Sequence, residues 1–204
     1  MMRLAPKQLP WLKALLHLAA GLPLLYLVLQ VVTDSAGGDP VQYIIHFTGK
    51  GALNALVATL LVSPVARKFK LGLLMQTRRL LGLWVFAWAC LHILSYFSLD
   101  LLFAWELLLS EIIKRPYILV GASAWLLLAA LALTSFKALQ RRMGRRWQQL
   151  HYSIYAIALL VPVHYYWSVK SEIIEPSLYL AAMLLLLAIR LPRFNWFRRL
   201  WPFA

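Results

Sequence analysis

Six apolar runs of about twenty residues, separated by short charged stretches, leave this chain few ways to fold in water. The 204 residues are 62% hydrophobic with a mean hydropathy of +0.71, more apolar surface than a soluble core of that size can use. The chain is therefore read as an integral membrane protein. The runs predict helices over 11–32, 44–66, 78–98, 117–136, 150–169 and 176–191, most of them near the ~20 residues that cross a hydrocarbon core. Transmembrane strands do not fit, because nothing alternates with period two. The expected fold is all-α, a six-transmembrane-helix bundle forming a single domain over 1–204, with no internal repeat and no low-complexity segment.

Lys and Arg in short loops stay on the cytoplasmic side, so the charges orient the bundle. Seventeen of the 21 basic residues fall on one side: Arg3, Lys7, Lys13, Arg67, Lys68, Lys70, Arg78, Arg79, Lys137, Arg141, Arg142, Arg145, Arg146, Arg190, Arg193, Arg198 and Arg199. The other side holds Lys50, Lys114, Arg115 and Lys170 with every acidic residue: Asp34, Asp39, Asp100, Glu106, Glu111, Glu172 and Glu175. Both termini are thus expected in the cytoplasm, with loops 33–43, 99–116 and 170–175 outside. A net charge of +14 also raises nucleic-acid binding, but the cations track the ends of the apolar spans, so the membrane and its lipid are the partner read here. The first run has a basic start like a signal peptide, yet it is long, lacks a clear small-x-small site and keeps the charge alternation in phase, so it reads as an uncleaved span. The lone Cys90 has no internal disulfide partner and suits a small buried hydrophobe.

Punctuation adds detail. Pro116 and Pro176 suit the first turns of the fourth and sixth helices, whereas Pro23 and Pro162 fall inside the first and fifth. The connection 99–116 carries the apolar stretch LLFAWELLL, which suits the outer interface. No Gly-rich phosphate loop, Cys cluster or Ser/His/Asp arrangement is present to argue from.

Histidines in such apolar segments need a partner other than water. His92 lies fourteen residues past Arg78, about 21 Å, and His164 lies thirteen past His151, about 20 Å. Both rings reach a similar depth nearer the outer face. Two neutral imidazoles facing each other from different helices can take both axial positions of a haem iron, which leaves no open position for substrate and favours electron transfer. The free ring N–H of each should donate to a carbonyl, and those loosened by Pro162 are candidates for His164. The alternative for each ring is a structural hydrogen bond to a neighbouring helix. His151 follows RRWQQL at the inner boundary and reads either as an interfacial ring or as an inner ligand that His17 could oppose. His46, near the outer start of the second helix, reads as interfacial or as within reach of a haem propionate.

Other residues stay open in the same way. Trp84, Trp88 and His92 recur every four residues, so the indoles border a porphyrin or pack between helices. Tyr165, Tyr166 and Trp167 suit an aromatic belt. Arg78 and Arg79 snorkel to headgroups, or bind a flavin phosphate or haem propionate. A small transporter is the competing function, disfavoured because no carboxylate lies within a predicted span; a non-redox membrane anchor is another.

The stretches HFTGKGAL, RRLLGLWVFAWACLH, RPYILVG, RRWQQLH and PVHYYWSVK, in this order from about Arg3 to about Arg190, closely resemble the MsrQ (YedZ-like) family, a ferric-reductase-like transmembrane family. The resemblance implies a multi-pass protein of the bacterial inner membrane that binds haem b and FMN. It implies an electron-transfer subunit rather than the substrate-reducing catalyst, fed by the quinone pool or a cytosolic flavin reductase. The partner it implies is a periplasmic molybdenum-cofactor methionine sulfoxide reductase subunit. By that resemblance His92, His151 and His164 are the haem-related histidines. One departure stands out: the wider group often has a second histidine deeper on the third helix, and here Arg78 and Arg79 occupy that level.

Overall fold

A computed structural model describes residues 5–169 and 172–190. Arg3, Lys170, Arg193, Arg198 and Arg199 of the charge pattern, and the last residue of the sixth predicted span, lie outside the described residues. Helices account for all regular structure among the described residues: α1 (Leu9–Val32), α2 (Pro40–Lys68), α3 (Arg78–Ser95), α4 (Trp105–Lys114), α5 (Tyr117–Leu133), α6 (Lys137–Met143), α7 (Arg145–His151), α8 (Ser153–Ser168) and α9 (Ile174–Ala188). Each predicted span finds its helix, the fifth one divided between α7 and α8. Three helical stretches, Pro6–Val32, Pro40–Lys68 and Gly72–Asp100, are long and apolar enough to cross a membrane. The sharply bent pair of α4 and α5 makes a fourth if counted as one crossing. The outer stretch that reads as interfacial from sequence is in part the short helix α4.

Lipid is the solvent this surface asks for. Helix α1 buries only Leu27 and leaves Leu15, Leu18, Leu22, Leu25 and Leu29 exposed, the reverse of a helix packed in water. The protein is a helical membrane protein. Its core lies between α2, α3, α5, α8 and α9, where Leu53, Leu56, Leu60, Val85, Trp88, Ile157, Ala158 and Met183 are buried together.

Local chemistry sets where these helices start and stop. The Asp39 carboxylate accepts from the Gln42 N–H at 3.0 Å, and Pro40 takes the first helical position, so α2 begins there. Gly144, at φ +54° and ψ −122°, turns α6 into α7 through a conformation that side chains oppose. After α3 one π-helical turn, Tyr96–Asp100, leads into Leu102 and Phe103, both at positive φ, and then into α4.

The closest packing is of α2 on α3. A Cβ on Gly51 would stand 2.4 Å from the Trp88 ring, and that ring is fixed because Trp88 Nε1 donates to the Ala20 carbonyl at 3.1 Å. Gly51→Ala should therefore overpack the pair and cost about 1–3 kcal/mol. Thermal unfolding in detergent would check this; an unchanged Tm contradicts the packing described.

The tryptophans also settle a choice left open by the sequence. Trp84 Nε1 donates to His17 Nδ1 at 3.0 Å, so both indoles of the four-residue series face α1. They bind helices together and line no cofactor cleft.

An internal repeat, not expected from the sequence, is present. The α2–α3 and α5–α8 hairpins correspond at a constant offset of 72 positions: Ile45 with Tyr117, Gly49 with Gly121, Ala52 with Ala124, Leu56 with Leu128, Val85 with Ile157, and His92 with His164. Four of these six pairs are identical residues, but they are scattered among positions that differ, so no repeat is apparent along the chain. The match is in what each position does.

Candidate functional site

Between the two hairpins lies a cavity of about 310 Å³, within the size range of small-ligand sites. His92 and His164 look into it from opposite walls. Their ring centroids are 6.1 Å apart at 74°. His92 Nδ1 is 2.9 Å from the Ile45 carbonyl on α2, and His164 Nδ1 is 2.8 Å from the Tyr117 carbonyl on α5. In each hairpin the carbonyl comes from 47 residues earlier in the chain. A carbonyl only accepts, so each Nδ1 carries the proton and each Nε2 keeps its lone pair. The expectation that Pro162 frees the carbonyl for His164 is corrected here: the acceptor belongs to the partner helix α5. Pro162 is buried inside α8.

Glycine makes room for both rings. A Cβ on Gly49 would lie 3.2 Å from His92, and one on Gly121 would lie 2.7 Å from His164. Each glycine sits one turn past the residue whose carbonyl holds the ring, so each hairpin supplies an acceptor and a clearance on one helix face. This explains two sequence motifs: HFTGKGAL places Gly49 under His92 and Gly51 under Trp88, and RPYILVG places Tyr117 and Gly121 against His164.

The pair fits an iron held from both sides. A metal–imidazole bond is about 2 Å and a ring nitrogen lies about 1.2 Å from the ring centre, so one ion shared by two opposed rings asks for centroids about 6 Å apart. Leu53, Leu56, Val85, Ala89, Leu128 and Trp125 supply apolar walls suited to a porphyrin face. The buried Trp125 Nε1 has no hydrogen-bond partner. Among the described residues no three His, Cys, Asp or Glu side chains gather as a metal site, so two rings and a flat cofactor suit this cleft better than a bare ion.

Besides the two histidines, the cavity's polar side chains include Gln42, His46, Lys50, Tyr96, Asp100, Arg115, Tyr117, Tyr165 and Ser168; of the charged ones, Asp100 and Arg115 bracket α4 and Lys50 is paired with Glu175 at the start of α9. Lys50 pairs with Glu175 at 3.3 Å. Arg115 Nε stands 3.0 Å from Glu111 Oε2, without the alignment of a hydrogen bond, and its Nη1 lies 4.0 Å from Asp100. Burial opposes the Arg115 charge, but Tyr117, Glu111 and Asp100 around it raise its pKa above the ordinary guanidinium value. The buried Tyr96 hydroxyl has no partner.

The remaining sequence candidates lie elsewhere. His151 is absent from the cavity lining; its ring stacks on Trp147 at 3.8 Å and its Nδ1 is 3.1 Å from the Trp147 carbonyl. His17 is engaged by Trp84, and α1 packs on α2 and α3 while α7 packs on α5, α6 and α8, so the structure does not bring His17 and His151 together. Arg79 lies over the Phe136 ring at 5.7 Å, and Arg78 senses Arg190, Tyr155 and Arg67. Of the aromatic belt, Tyr166 and Trp167 are exposed whereas Tyr165 lines the cavity. Cys90 is a free thiol, half-buried. Gly49, Gly121, Lys50, Tyr96 and Arg115 escaped the sequence reading as site residues; the recurrence of a glycine four residues after Ile45 and after Tyr117 was the available signal.

Residues 48–162 match the family model described as ferric reductase like transmembrane component. The protein-methionine-sulfoxide reductase heme-binding subunit MsrQ of Cronobacter sakazakii is 52% identical over 199 residues, covering 97% of this chain and all of the relative. The proteins of the same name from Salmonella enteritidis and Salmonella agona match to the same extent. No solved structure matches at a significant level.

Proposed function

Because the chain belongs to the MsrQ family of haem-binding subunits, within the ferric-reductase-like transmembrane proteins, we propose that it carries electrons across the membrane to a methionine sulfoxide reductase through one haem b held by His92 and His164. The observation that carries this reading is the opposed pair itself, 6.1 Å between centroids with both Nδ1 atoms at backbone carbonyls and neither Nε2 hydrogen-bonded among the described residues. A haem bound there supplies a one-electron iron couple.

The protein's share of the work is positional. The Ile45 and Tyr117 carbonyls fix the tautomer and the plane of each ring and raise the basicity of its Nε2. Gly49 and Gly121 let the rings stand at that depth. With His92 and His164 both holding it, a haem iron there would have no open position for substrate, which would favour electron transfer over substrate chemistry. Apolar walls exclude water, so little must reorganise when the charge changes.

The six helix-matched runs and their basic ends support a six-span arrangement with both termini on the cytoplasmic side of the bacterial inner membrane. The haem cleft then opens outward, toward a periplasmic molybdenum-cofactor partner. Electrons enter on the other side, from the quinone pool or a cytosolic flavin reductase. Arg78 and Arg79 there, with His151 nearby, suit the phosphate of an FMN. His151 serves that entry side and does not complete the outer pair. A transporter would need a polar path across the bundle, and inward of the two histidines the cavity lining is apolar.

Rapid mixing tests the function. The purified protein, reduced in anaerobic detergent, should be reoxidised when its soluble reductase partner and methionine sulfoxide are added together, and not by methionine sulfoxide alone. Haem-free protein that restores reductase activity in membranes would support the anchor reading instead.

A further inference from the structure

The cavity is amphipathic along its length, and so is haem, an apolar ring with two carboxylates on one edge. Everything charged in the lining sits at one end. Lys50 follows Gly49 directly, and Arg115 lies two residues before Tyr117, so each cation is tied by sequence to the support of one histidine. The two cations stand on different hairpins and flank the mouth. The Tyr96 hydroxyl beside them is buried and unpartnered, although a buried donor of that kind ordinarily finds an acceptor.

Both cations already have acids near them: Lys50 Nζ stands 3.3 Å from Glu175 Oε1 and donates to Oε2 at 3.4 Å, and Arg115 Nε stands 3.0 Å from Glu111 Oε2. Lys50 and Glu175 are each about two-fifths exposed, and pairs of that kind contribute little. Asp100 stands 4.0 Å from Arg115 and Glu111 is not aligned with it. A carboxylate entering the mouth could therefore share each cation at small cost. Arg115 has further N–H donors to offer, and Lys50 has a rotatable ammonium. At the opposite end Leu56, Val85 and Leu128 offer nothing to a carboxylate.

Resting on the haem-binding reading above, we propose that this mouth is the propionate site: Arg115 and the Tyr96 hydroxyl receive one haem propionate and Lys50 receives the other. The propionate edge then faces the outer loops, and it is the edge nearest to a soluble partner. Electrons leave by that edge. His46, one turn from Lys50 on the same wall, lines the same mouth and completes its polar rim.

The test removes charge from either side of the contact. Apoprotein is titrated with haem and with haem dimethyl ester, following the Soret band, in the wild type and in Lys50→Met, Arg115→Gln and Tyr96→Phe. The wild type should bind the ester at least about tenfold more weakly than haem, and the combined Lys50→Met/Arg115→Gln variant should lose that discrimination while keeping a six-coordinate low-spin spectrum. Equal discrimination in wild type and variants overturns the proposal. On the intact holoprotein the haem midpoint potential should fall in Lys50→Met and in Arg115→Gln, because an uncompensated carboxylate favours the ferric state. It should not move in Lys114→Met, an exposed neighbour outside the cavity lining. Potentials unmoved in all three also overturn the proposal, and this arm decides if the apoprotein does not reload. Absence of haem from the wild type would defeat the functional reading itself, a different failure from haem bound without these contacts.

Discussion

Replacing His92 or His164 with alanine should abolish the six-coordinate low-spin haem, while His151→Ala should retain it. Each ring holds one side of the cleft and no other imidazole lines it except His46, at the polar mouth. Losing a second-shell partner of a metal ligand typically costs about 10–100-fold in affinity, so losing a ligand should cost more. The checks are the haem-to-protein ratio and the electron paramagnetic resonance of the oxidised protein in purified membranes. A low-spin signal that survives in His92→Ala and vanishes in His151→Ala would place the haem at the inner level, against this account.

The second large effect concerns the glycines. In Gly121→Ala the new Cβ would lie 2.7 Å from Cε1 and 2.8 Å from Nδ1 of His164. That ring cannot swing aside without breaking its bond to Tyr117, so either the helices part or the ring leaves its plane. Gly49→Ala is milder, with contacts at 3.2 Å that a shift of a few tenths of an ångström relieves. The expected order is a haem affinity reduced about 10–100-fold by Gly121→Ala and several-fold at most by Gly49→Ala. Haem retention through purification measures it. The reverse order would mean that the two rings are not seated as described.

How far these features were legible in the sequence follows from their range. Long apolar runs and their basic ends are strong local signals, and α1, α2, α3, α5 and α9 appear within a few residues of the spans they predict. The matched depth of His92 and His164 needed only the rise of a helix, and the two rings do meet. The choice left open for Trp84 and Trp88 turns on rotation. Residues four apart drift by about 40° around a helix, so the indoles turn toward α1 while Val85, Ala89 and Tyr96 share the cavity face with His92.

What was hidden depends on pairing between distant helices. The acceptor for His164 looked local, at Pro162, because a kink frees carbonyls nearby; the actual acceptor is 47 residues away on α5. Which helical glycines or lysines matter is equally a question of what lies opposite them. Lys50 seems an isolated cation in a span until α9 brings Glu175 to it and the cavity opens beside it. The correspondence of the two hairpins is hard to see along the chain because the matching residues are widely spaced, and at Ile45 and Tyr117 a backbone carbonyl does the work, so the side chain is free to differ.

The most direct test of the central claim is a cryo-electron microscopy map of the holoprotein in a lipid nanodisc. The account predicts haem density between α3 and α8, with the iron about 2 Å from Nε2 of both His92 and His164. Haem density at His151, or an iron with only one of the two rings as a ligand, would contradict it.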